Sequence, residues 1–373
     1  MKNFSLAVSI FSLFVTIFVA TPSFALEQIV RPYQGIRSSG MGGVMLSTGL
    51  YEDNFFGNPA RTAKNPKFRF TLFDPMIEGN NKLKDSFNKL TASGDFLENL
   101  GNTAGNNNHV RVQTSMPALY FPEKEDGRMS FGFALLSSTQ VDVDLRRSFE
   151  IDPFALTDIG PAFSVARSFM ENKELTVGVT THVTYRLATR KSFTFVDFIK
   201  GSSLSPLNSG GEGGMLDFDL GSTYVLPWKP SEFEFTPAIT INNVLGGKYS
   251  NLGFKPLKID SLPLEQPRTL GLGASARKAT WWKFTDTVLA FEVREIGNNT
   301  DGSFYRLLHI GGETNFGRLA ARLGINQGYW TAGLGLNLKI LTLDFVTYGE
   351  EMALNPGGME DRRYAAKVAL QFE

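Results

Sequence analysis

Toward its C-terminus the chain alternates with a period of two. From Gly328 to Leu338, Trp330, Ala332, Leu334, Leu336 and Leu338 share one face, while Tyr329, Thr331, Gly333, Gly335 and Asn337 share the other. Leu341, Leu343 and Phe345 alternate with Thr342 and Asp344, and Tyr364, Ala366, Val368, Leu370 and Phe372 alternate with Arg363, Ala365, Lys367, Ala369 and Gln371. Successive side chains of a strand point to opposite sides, so these runs predict strands with one apolar face and one face of small and polar residues. Comparable segments read at about 67–73, 109–121, 128–141, 157–170, 173–187, 213–226, 232–245, 268–277, 286–296, 304–316 and 317–326. With the last three they make about fourteen strands, an even number that suits a closed antiparallel barrel in the outer membrane. Charges inside the strands, such as Glu292, Arg294, Glu313, Arg322, Asp344 and Lys367, fall on the small-residue face, as does His309.

Residues 78–100 break this rhythm. Leu83, Phe87, Leu90, Leu97 and Leu100 recur at helical spacing among lysines, asparagines and acids, which predicts a short helix inserted between the first two strands. Segments 142–156, 188–212 and 246–267, rich in Ser, Gly, Asn or Pro, read as long loops. In outer-membrane barrels such loops face outside and tight turns face the periplasm. The stretch GMGGVMLSTGLYEDNFFGNPARTA, from Gly40 to Ala63, is neither helix nor strand by pattern. A barrel of this size has a lumen its own side chains cannot fill. Residues 26–63 are therefore expected as a plug, ahead of a barrel over 64–373. Gly40, Gly42 and Gly43 would turn it tightly, Asn58-Pro59 would fix a turn, and Phe55 and Phe56 would bury apolar surface.

Composition sets the compartment. Met1-Lys2-Asn3, the apolar run Leu6–Ala20 and Ser23-Phe24-Ala25 predict a signal peptide over 1–25, hence export to the outer membrane of a Gram-negative-type bacterium. The 373 residues hold 37 Gly and 32 Phe but no Cys, which removes disulfides, thiolate metal sites and cysteine nucleophiles. Lys plus Arg equals Asp plus Glu at 37 each, so charge gives no reason to expect nucleic acid. The 3 histidines, His109, His182 and His309, show no metal-ligand spacing. There is no P-loop, dinucleotide fingerprint or G-x-S-x-G elbow, so neither an enzyme nor a cofactor is expected.

Gly35-Ile-Arg-Ser-Ser-Gly-Met-Gly-Gly43, Glu52-Asp53 and Asn58-Pro59-Ala60 resemble the N-terminal plug of the FadL-type long-chain fatty-acid transporters and their PorV-like and TraF-like relatives. Ile241-Asn-Asn-Val-Leu-Gly246 and the run from His309 to Asp344 continue the likeness, closer to the PorV-like and TraF-like proteins. The resemblance implies a fourteen-stranded all-β transmembrane barrel with an N-terminal hatch.

Two functions follow as expectations. In the first, a FadL-like barrel passes or binds a hydrophobic, fatty-acid-like molecule, with Gly40, Gly42, Gly43, Phe55, Phe56, Asn58 and Pro59 forming the gate. In the second, a PorV-like barrel docks a secretion-system or surface protein and transports nothing. Membrane lipids surround the outer face in both. Glu292, Arg294, His309, Glu313, Arg322, Asp344 and Lys367 form a lumen charge network that either takes a carboxylate headgroup, for instance at Arg322, or pairs internally to hold the hatch.

Overall fold

The computed structural model of the chain describes residues 31–91, 106–124, 128–145, 150–190, 193–194, 210–251, 255–298, 303–353 and 357–373. The expected signal peptide lies outside the described residues. The described chain starts inside the lumen, with α1 (Ile36–Gly40), α2 (Asp53–Phe56) and a 3-10 turn (Pro59–Lys64). It then builds β1 (Arg69–Phe73) and β2 (Met76–Asn80), the helix α3 (Leu83–Thr91), β3 (Asn106–Thr114) and β4 (Ala118–Phe121). β1 and β2 are halves of one stave interrupted at Asp74-Pro75, and β3 and β4 are halves of the next, interrupted before Pro117. Proline supplies no N–H to the ladder, which accounts for a break at each site.

Long strands follow: β5 (Ser130–Leu145), β6 (Glu150–Phe169), β7 (Leu175–Arg190), the two-residue β8 (Phe193–Thr194) and β9 (Gly210–Tyr224). The wall continues through β10 (Glu234–Asn242), β11 (Thr269–Trp281), β12 (Phe284–Ile296) and β13 (Leu308–Phe316). It ends with β14 (Leu319–Asn326), β15 (Tyr329–Asn337), β16 (Leu341–Glu351) and β17 (Glu360–Phe372). All pairings are antiparallel, and β17 closes on β1 and β2, Phe372 opposite Phe70 and Ala366 opposite Ile77. The fold is a closed barrel of 14 staves.

Alternation sets the two surfaces. Leu323 is 71% exposed and Leu334 62%, whereas Arg322, Thr331, Gly333 and Gly335 beside them are buried. The outside is apolar and the inside polar, as lipid and a filled lumen require. Tight turns at 282–283, 317–318 and 338–340 share a rim with the ends of the barrel sequence, where Arg69 meets Glu373 at 2.7 Å. Exposed Trp228, Trp281, Trp282 and Phe316 ring this rim as an interfacial aromatic girdle. The described residues that follow β10 and β12, at 243–251 and 297–298, lie on the opposite rim.

Three expectations need correction. Residues 78–80 belong to β2, with Glu78 buried and pointing inward, so the helix begins only at Leu83; residues 92–100 lie outside the described residues. The segment 142–156, expected as a loop, is strand up to Leu145 and from Glu150. Likewise 188–190 and 210–212 extend β7 and β9. The cause is length. β5, β6 and β7 run 16, 20 and 16 residues, beyond the roughly 9–11 that cross a bilayer. Past the lipid band the outer face need not be apolar, and the period of two fades while the backbone ladder continues.

Candidate functional site: the plugged lumen

The plug is held to the wall by polar side chains that the alternation turned inward. Glu292 on β12 accepts backbone N–H bonds from Met45 (2.8 Å), Leu46 (2.8 Å) and Ser47 (3.1 Å). Arg294 donates to the carbonyl of Gly43, and His309 Nδ1 lies 2.9 Å from the carbonyl of Gly42. Gly42 and Gly43 have φ of +69° and +87°, a conformation that favours glycine. At Gly42 a Cβ would also lie 2.1 Å from the Ile310 carbonyl oxygen, so the plug backbone touches wall backbone there. At Gly40 a Cβ would lie 3.1 Å from Val346 and 3.2 Å from Gly333, a looser but still tight approach.

Further along, Arg37 reaches Glu313 with three N–H bonds of 2.9 to 3.1 Å and donates to the carbonyl of Thr48. Consecutive hairpins place Glu313 opposite Arg322, whose guanidinium is shared between Glu313 and Asp344, each at 2.6 Å. Asp344 stands opposite Lys367 in register, but Lys367 turns to the plug residue Glu52 (2.8 Å) and to Asp74 (3.0 Å). The seven network residues of the sequence reading therefore point into one lumen. Glu292, Arg294 and His309 bind plug backbone, and Glu313 and Lys367 bind plug side chains.

A second cluster escaped the sequence reading. His109 is buried between Asp142 (2.6 Å) and Glu78 (2.7 Å), and Tyr348 donates to Glu78 at 2.8 Å. Arg363 joins it through Glu350 at 3.1 Å, and Glu350 and Glu295 together grip Arg31 of the plug. The alternation of buried His109 and Arg111 with exposed Val112 carried the signal. The assignment of Glu78 to a helix hid its partner.

Phe55 is buried against Tyr120, with ring centroids 5.8 Å apart, and Phe56 stacks on Tyr33 at 5.1 Å. Asn58 caps the 3-10 turn by accepting from Ala60 N–H (3.0 Å), while its amide donates to the carbonyls of Leu46 and Ser222. Pro59 lies against Gly178 and Gly221, where the wall carries no side chain.

Two cavities among the described residues flank the plug. One of about 130 Å³ opens between the plug and β7, β9, β10 and β11 on the side of the long connections. Tyr33, Leu46, Phe55 and Phe56 of the plug line it, together with wall charges that include Asp158, Arg186 and Arg294. The other, about 320 Å³, lies toward the tight turns and is lined by charges, among them Arg37, Glu52, Asp53, Arg322 and Lys367. α2 separates them, with Phe55 and Phe56 on one cavity and Asp53 on the other. The loop after β10 roofs the first cavity. Asp217 accepts N–H bonds from Leu245 (2.8 Å) and Gly247 (2.8 Å), Asp219 accepts from Asn243 (2.7 Å), and Tyr249 is thereby set 4.7 Å from the Arg186 guanidinium.

Solved structures with this arrangement of strands exist. The toluene transporter TbuX of Ralstonia pickettii superposes with a TM-score of 0.52 at 13% identity, over 92% of this chain and 98% of that one. The monoaromatic hydrocarbon channel CymD gives 0.52 at 12% identity, over 91% and 97%. This chain has their fold. A deletion mutant of the monoaromatic hydrocarbon channel TodX agrees, at 0.51 and 12% identity over 93% and 98%. No family model and no curated protein matches the sequence. At such identities it is the barrel that is shared, and its contents must be read from the residues.

Proposed function

We propose that the chain is a FadL-type outer-membrane barrel that binds and passes hydrophobic small molecules. The observation that carries this is the cavity beside the plug on the long-connection side, into which the plug presents Tyr33, Leu46, Phe55 and Phe56. Its size favours short ligands: about 130 Å³ is close to the ~150 Å³ that accommodates benzene in an engineered protein cavity. The structural neighbours named for toluene and monoaromatic hydrocarbons support the same reading.

The steps follow from the lining. A lipophile leaving water buries roughly 150–250 Å² of ring surface, worth about 4–6 kcal/mol before the cost of immobilisation. It settles against Tyr33, Leu46 and Phe56 and meets α2 as a floor. Onward passage needs α2 to shift, because this turn stands between the two cavities. The multiple bonds to Glu292 and Glu313 hold the rest of the plug while this one turn moves. Arg322 is already engaged by two carboxylates, so a ligand headgroup is not needed to neutralise it.

Native mass spectrometry of protein extracted from outer membranes in mild detergent tests the reading. A discrete lipophilic adduct is expected, lost in Phe56→Ser. A barrel that carries no small molecule, or carries another protein instead, would move the function to docking by the loops.

A further inference from the structure

The turn α2 has to shift for a ligand to pass, and one buried ammonium ties it to the wall. Among the described residues, the bond that Lys367 Nζ donates to Glu52 (2.8 Å) is the one hydrogen bond joining residues 50–57 to a strand. The other wall contacts of this stretch are made by rings. Tyr51 and Phe55 pack on Tyr120, with centroids 5.3 and 5.8 Å apart, and Tyr51 lies 3.4 Å under the Arg69 guanidinium. Apolar contact is non-directional and tolerates a small slide, whereas a charge-assisted bond fixes a distance.

Lys367 has a second partner. Asp74, 2% exposed at the break between β1 and β2, lies 3.0 Å from the same ammonium. It is held from the other side, because it accepts from the Thr114 hydroxyl (2.7 Å) and the Ser115 N–H (2.9 Å), where β3 ends. Asp74 therefore stays in place when α2 moves. A buried ammonium with no carboxylate beside it is strongly disfavoured, so a latch made with Glu52 alone would rarely open. With Asp74 in reserve, opening breaks one charge-assisted bond and orphans no charge. The Glu52 side chain, 18% exposed, lines the charged cavity together with Arg69 and Arg318, so its carboxylate is released into a space with two further cations.

We infer that Glu52, Lys367 and Asp74 form a reversible latch on the plug. Lys367 holds α2 closed through Glu52, and Asp74 keeps the ammonium paired while the turn swings open. This inference rests on the hydrophobic-ligand reading above and assigns the gate of that path. It makes the two carboxylates act in opposite directions. Removing the charge of Glu52 frees the turn, while removing that of Asp74 leaves Lys367 with Glu52 alone and tightens the latch.

Amide exchange at Phe55 and Gly57, whose N–H groups bond to the Glu52 and Asp53 carbonyls, reads the latch in ligand-free, full-length protein in detergent at a single pH. Exchange should quicken about tenfold in Glu52→Gln and slow about tenfold in Asp74→Asn, the size expected for one charge-assisted bond. Added to Lys367→Met, Asp74→Asn should no longer slow it. Heat-modifiable gel migration confirms that each variant is a closed barrel. Uptake of labelled toluene by cells carrying Glu52→Gln, the parent or Asp74→Asn should fall in that order. Equal exchange in the parent and Glu52→Gln, or exchange in Asp74→Asn no slower than in the parent, overturns the latch and leaves the ligand reading standing. Uptake that exceeds that of barrel-free cells but ignores the variants overturns α2 as the gate. Uptake no faster than in barrel-free cells overturns the ligand reading, with exchange still deciding the latch.

Discussion

Asp53 is 1% exposed, and neither of its carboxylate oxygens has a hydrogen bond among the described residues; the nearest cation, Arg37, is 3.7 Å away. Burial and then the neighbouring Glu52 raise its pKa to about 7, against the opposing pull of Arg37, Lys367 and Arg322. A carboxyl whose pKa rises on folding favours the folded state while protonated, so this contribution is complete below about pH 4 and is lost as pH climbs through 7. Amides of residues 50–57, corrected for intrinsic rates, should therefore exchange faster at pH 8 than at pH 5.5, and Asp53→Asn should remove the difference. Equal protection at both pH values in the unmodified protein would refute this. Glu292 is an anchor of the plug. In Glu292→Ala the N–H groups of Met45, Leu46 and Ser47 lose their acceptor, at about 1–3 kcal/mol each. Planar-bilayer recordings should then show ion-conducting openings that the parent barrel lacks, whereas an unchanged record would mean the plug is held elsewhere. At this scale the sequence was partly legible. Period two placed Glu292, Glu313, Arg322 and Lys367 inside, but the partner of each was hidden: Lys367 answers Glu52, which lies 315 residues away.

Among the elements, the turn α2 and the loop after β10 confine the cavity on the long-connection side between them. The loop is built on acceptors rather than on apolar packing, since Asp217 takes two of its N–H groups and one at Phe218. Asp217→Ala should raise amide exchange at Leu245 and Gly247 by about one to two orders of magnitude and speed release of a bound lipophile, because both donors lose their acceptor. Exchange that stays slow would show the loop to be held by other contacts. The sequence Ile241-Asn-Asn-Val-Leu-Gly246 marked this region by its likeness to known barrels, yet its role was not readable from the chain. The clamp depends on Asp217 and Asp219, on the preceding strand, whose side chains point at the loop only once β9 and β10 pair. Strand ends were hardest to read. The extensions of β5, β6, β7 and β9 stand clear of lipid, where nothing enforces an apolar outer face.

For the molecule as a whole, the barrel was legible because lipid on one side and a polar lumen on the other impose the same alternation on every stave. The plug was legible as something that had to fill a wide lumen, and its glycines fell where plug and wall backbones touch. The cavities were not, since their walls come from plug and barrel together and their size depends on how closely the two meet. Passage of a lipophile through that lumen is best tested by its uptake rate. Cells with an outer membrane, with and without this barrel, would receive a labelled one-ring compound at low concentration. Uptake should be several-fold faster with the barrel and should return to background in Leu46→Trp. Equal uptake with and without a correctly folded barrel in the outer membrane would contradict the transport reading.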